Sequence, residues 1–112
     1  MLLKDIQSEL KKIGIPIAYY QFPPKSNPKM PYLIYYDENG SERGGDFNIC
    51  IVESDIKIEL YANKIDKETE EKVKQTLRNL KVEFEVERLW IEKEECWETI
   101  FEFSIIDKEV SK

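Results

Sequence analysis

The stretch Asp55-Ile-Lys-Ile-Glu-Leu-Tyr-Ala62 carries the pattern in the chain nearest to catalytic chemistry. An acid, one spacer and a lysine on a strand, with a second acid on a neighbouring strand, can gather Mg²⁺ and a water at a phosphate. That is metal-dependent nuclease chemistry. Asp46 or Asp37 would supply the acid of the neighbouring strand and Glu9 another, beside Asp55 and Lys57. The same tripeptide also arises wherever an alternating strand keeps charges on its wet face. The formal net charge of −6 leaves no basic surface for a duplex, whose binding needs a Lys/Arg surplus.

Other chemistries have fewer footholds. The 112 residues include no histidine, which excludes histidine triads, histidine metal sites and histidine proton relays. Cys50 and Cys96 are far apart and outside any CxxC, so they read as small core or half-buried residues. There is no GxGxxG, P-loop or GxSxG, and Gly44-Gly45 alone reads as loop. The glutamates from Glu83 to Glu102 alternate along strands and read as a solvated hairpin face rather than a cation site. Asp66, Glu70 and Lys74 read as helix-surface charges. No catalytic residue, metal or cofactor is expected.

The elements that would position these residues follow from periodicity. Leu3, Ile6, Leu10 and Ile13 predict a helix over 2–13, ended by Gly14 and Pro16. Ile17–Phe22 and Pro31–Tyr36 read as strands, joined by a stiff proline loop as an antiparallel pair. Asp37-Glu-Asn-Gly40 reads as a turn and Ser41–Asp46 as a mobile loop. Phe47–Val52 and Asp55–Ala62 are extended, and Glu53-Ser54 reads as a bend within one strand, with a tight turn the alternative. Asp66 caps a second helix over 67–80, with Val73, Leu77 and Leu80 inward. A final hairpin turns at Glu92–Glu95, and the tail Asp107–Lys112 is expected to fray. The order α-β-β-β-α-β-β predicts one α+β domain spanning 1–112: a mostly antiparallel sheet of five to six strands with both helices on one face.

Two helices cover only one face of such a sheet, so the second face is either wet and charged or covered by another subunit. Tyr19, Tyr20, Tyr32, Tyr35, Tyr36 and Tyr61 read either as half-buried strand residues with hydroxyls at the rim or as part of a protein–protein interface, where Tyr and Trp are enriched. Candidate contact residues are Tyr35 and Tyr36, Arg43 within the 37–46 loop, Phe47, and Trp90 and Trp97 of the hairpin. Lys25 and Lys29 put local positive charge on an acidic protein, a docking contact for an acidic neighbour. The N-terminal MLLKDIQSEL lacks a signal-peptide pattern, and no apolar run approaches the ~20 residues of a membrane span.

The succession PYLIYYDE after a proline loop, then DIKIELYANKIDKETEEKV, a glutamate-rich region and a closing WETIFEFSI resembles small tail terminator and tail-completion proteins of long-tailed phages and prophages. These are related in fold to head–tail joining proteins, and the resemblance runs from the N-terminal helix to about Ile106. It implies a structural protein that forms a ring, usually a hexamer, ends the tail tube and meets the head connector. The implied partners are further copies of itself, tube protein, connector proteins and DNA passing without specific binding. The implied location is the virion tail, or the host cytoplasm during assembly. An acidic lumen would suit passing DNA through like-charge repulsion. The resemblance carries over no catalytic residues. The nuclease and an interaction module unrelated to phages stand as alternatives.

Overall fold

The computed structural model describes residues 3–44 and 49–110. The expected element order is the observed one: α1 (Leu3–Lys11), β1 (Ile17–Tyr19), β2 (Tyr32–Gly44), β3 (Ile49–Ala62), α2 (Lys67–Asn79), β4 (Glu85–Ile91) and β5 (Cys96–Val110). The strands form one five-stranded sheet in the order β1-β2-β3-β5-β4, antiparallel except for the β1–β2 pair. The fold is α+β.

Local chemistry sets the boundaries. The Asp66 carboxylate accepts from the Thr69 backbone N–H at 3.0 Å and from its hydroxyl at 2.7 Å, capping α2 as expected. Gly14, at φ +88°, takes the left-handed position that ends α1. Lys81 takes the corresponding position after α2, at φ 60°, where glycine is more usual. The four-residue turn at Glu92–Glu95 is as predicted, closed by Glu95 N–H donating to the Glu92 carbonyl at 3.2 Å.

The helices pack on one face. Ile6 and Leu10 of α1 and Val73 and Leu77 of α2 meet Leu33, Tyr35, Ile56, Ile58, Leu60, Phe101, Phe103 and Ile105 of the sheet. The cross-strand rows Leu33–Leu60–Thr99 and Tyr35–Ile58–Phe101 show why alternating residues share this face. Phe101 is wholly buried at its centre.

Three expectations are corrected. First, β1 runs parallel to β2, in register Ile17–Leu33 to Tyr19–Tyr35, so the proline loop does not join an antiparallel pair. β1 is also only three residues long, with Tyr20 at φ 65° turning the chain away. The Met30–Pro31 peptide that leads into β2 is cis. Second, 37–44 is neither turn nor loop: β2 continues to Gly44, opposite β3 as far as Cys50. Asn39-Gly40 is absorbed as a bulge between Glu38–Asp55 and Ser41–Glu53, one extra residue in β2. β3 passes through Glu53-Ser54 as one strand, as expected. Third, the tail does not end the sheet at Ile106, because β5 pairs with β3 out to Val110 opposite Ile49.

The distal parts of β2, β3 and β5 therefore form a three-stranded arm. The chain measures 52 × 30 × 24 Å, and its radius of gyration of 15.8 Å exceeds the roughly 13 Å of a compact domain of about 100 residues.

Candidate functional site

The face of the sheet turned away from the helices is the molecule's distinctive surface. Strand alternation sends Tyr32, Ile34, Tyr36 and Glu38 of β2 to it, with Asp55, Lys57, Glu59 and Tyr61 of β3, Glu98, Ile100, Glu102 and Ser104 of β5, and Glu85 and Glu87 of β4. Among these residues carboxylates outnumber lysine, and tyrosines supply the apolar contact between them.

At its centre is a phenol–carboxyl network. The Tyr36 hydroxyl donates to Glu59 Oε2 at 2.9 Å. The Tyr61 hydroxyl lies 2.9 Å from Glu59 Oε1 and 2.7 Å from Glu98 Oε2. A phenol has one proton, so it donates to one carboxylate at a time. Of the two carboxyls, Glu98 is the more deeply buried. Burial, and then the neighbouring Glu59 and Glu87, raise its pKa above the ordinary carboxylate value, against the Tyr61 hydrogen bond that lowers it. The Tyr61 hydroxyl is pushed well above its usual range by burial and by both glutamates, and Tyr36 by burial and Glu59. Both remain donors at any physiological pH. Tyr32 stacks on Tyr61 with ring centroids 5.2 Å apart, and Tyr20 on Tyr36 at 5.6 Å. Beside them Met30, Tyr32, Ile34, Tyr61, Ile91, Glu94 and Cys96 line a recess of about 400 Å³.

Asp55 and Lys57 share this face, and each is engaged by another side chain. Lys57 Nζ pairs with Glu38 Oε1 at 2.9 Å, and Asp55 accepts from the Ser104 hydroxyl at 2.7 Å. Asp37 accepts from the Tyr19 hydroxyl, and Glu9 pairs with Lys12 on α1. Asp46 lies outside the described residues. Among the described residues no three acidic or cysteine side chains converge as a metal would require.

The interface candidates separate. Tyr35 is a correction: it is 3% exposed within the core, since neighbours on a strand point to opposite faces and Tyr36 takes the open one. Trp90 and Trp97 form a cross-strand pair, centroids 5.3 Å apart, with Trp90 48% exposed. Lys25 and Lys29 are exposed on the proline loop. Arg43 sits in the arm, its backbone in one row with Ile51 and Lys108, while Phe47 lies outside the described residues. Cys96 is buried, as expected of a core cysteine; the Cys50 side chain falls outside the described set.

Two glutamates differ from their expected solvated roles. Glu98 is nearly buried in the network above. Glu70, read as a helix-surface charge, is 3% exposed and receives Arg88 Nη2 at 2.6 Å, Arg88 Nε at 2.9 Å and the Thr99 hydroxyl at 2.7 Å. This bidentate clamp ties α2 to β4 and β5, and Arg88 holds the Glu70 pKa below its ordinary value. The sequence signal for Glu70 was weak. Its position next to the stripe residue Val73 on α2 is the one hint of burial.

No helix among the described residues is long and apolar enough to cross a membrane. No protein-family model matches the chain, and none of the curated proteins compared with it matches either.

Proposed function

We propose that the protein is a structural component of a phage or prophage tail, assembling into a ring that ends the tail tube and offers a joining surface to the head. The observation that carries this reading is the arm. A sheet covered by helices on one side only, and extended beyond them by three long strands, has more surface to share than a free-standing domain needs. The resemblance of the chain to tail terminators along its length supports it. So does the occupied state of Asp55 and Lys57, which favours a role in recognition over one in cleavage.

In the proposed ring the helices face outward and the open face lines the bore. Glu59, Glu85, Glu87 and Glu102 on that face repel the DNA backbone and let it pass without adhering. Lys25 and Lys29 on the proline loop dock against an acidic neighbour. The test is mass in solution with negative-stain imaging at high protein concentration, alongside purified tail tubes. A closed ring, or tubes capped at one end, is the expected result. A strict monomer that never binds a tube refutes the proposal.

A further inference from the structure

We infer that copies of this chain join by strand addition, the open edge of β5 over residues 103–110 pairing with the open edge of β2 over residues 38–44 of the next copy. This rests on the ring reading and specifies its joint. β4 covers β5 only as far as Glu102, whose partner is Glu85. On the other side, β1 covers β2 at Leu33–Tyr35, and the Tyr20 hydroxyl donates to the Asp37 carbonyl, so the β2 edge is open from Glu38 onward. The arm therefore carries two backbone edges without strand partners among the described residues, of nearly equal length and on opposite sides. Each edge presents a row of N–H and C=O groups that an added strand satisfies.

The β5 edge is also shaped to receive a strand. Where β4 begins, Glu83, Phe84, Glu85, Glu102, Phe103 and Ser104 line a notch of about 650 Å³. A strand continuing the line of β4 would occupy it. Next along this edge, Ile106 is a large aliphatic side chain left 58% exposed. The outermost strands are poorer candidates. β1 is three residues long, and Glu85 and Glu87 guard β4 with charge.

A second copy is the occupant because one chain carries both halves of the joint. Opposite edges make a heterologous contact, which repeats head to tail and closes when the rotation closes. β2 and β5 each run antiparallel to β3, so they run the same way. Copies standing the same way up in a ring would thus meet in a parallel ladder. Closure leaves no arm edge open.

Hydrogen exchange read by mass spectrometry on the full chain, dilute and concentrated, with mass and imaging in parallel, tests this. As the ring forms, peptides spanning 38–44 and 103–110 should gain protection together, while 85–91 gains none. A ring in which neither segment gains protection overturns the strand joint and leaves the ring reading standing. Protection of 103–110 alone, in a twofold dimer, replaces it with β5–β5 pairing. A persistent monomer overturns both readings.

Discussion

The two faces of this sheet are built by opposite rules. The helix face is aliphatic and aromatic, and its one buried carboxylate, Glu70, is matched by a guanidinium and a hydroxyl. The open face gathers carboxylates, pairs Glu38 with Lys57, and engages Glu59 and Glu98 through phenol hydroxyls. The first solution favours one rigid arrangement. The second leaves a surface whose charge depends on its surroundings, as suits a face that meets something else.

Breaking the helix face should cost most. Phe101→Ala removes its wholly buried centre and should destabilise by about 3–5 kcal/mol in chemical denaturation. Glu70→Ala strands Arg88 and Thr99. Because Arg88 is one-third exposed and can rehydrate, the expected loss is about 2 kcal/mol, less than for a fully buried pair.

Acidity separates the faces by sign. The Glu70 pKa is lowered in the fold, so its contribution is present above the ordinary glutamate value of about 4.3 and is lost as pH falls through the folded value. The Glu98 pKa is raised, so its contribution is complete below about 4.3 and is lost as pH climbs through the folded value. Glu98→Gln should therefore be more stable than the parent at pH 7, and the gap should narrow as pH falls toward 4, as read by denaturant midpoints. A parent-like midpoint for this variant at pH 7 would contradict the raised Glu98 pKa. The smallest expected effect is on Lys25 and Lys29. Reversing both charges should change stability by less than about 0.5 kcal/mol while weakening ring assembly in sizing experiments.

What the sequence made legible follows the reach of each interaction. Ile56, Ile58, Leu60 and Ala62 against Asp55, Lys57, Glu59 and Tyr61 could be assigned to faces because alternation is a local property. The Asp66 cap was readable for the same reason. Asn39-Gly40 was misread as a turn because the same residues serve bulges, and only the partner strand decides between them. The parallel pairing of β1 is not written in either strand. Glu70 finds Arg88 18 positions along the chain, and Tyr61 finds Glu98 37 positions along, distances at which no periodicity is informative. Tyr35 and Tyr36 were grouped as neighbours, although the pleat sends them apart.

The tryptophan pair has a practical consequence for anyone handling this protein. Both tryptophans of the chain lie in one rung of the terminal hairpin, with rings 5.3 Å apart and Trp90 half in water. Intrinsic emission excited at the indole band therefore reports on that hairpin alone. Coupling between the two rings should add a signature to circular dichroism that vanishes when the rung opens. Such spectra would register fraying of β4 directly and register α1 or the arm only through cooperative unfolding.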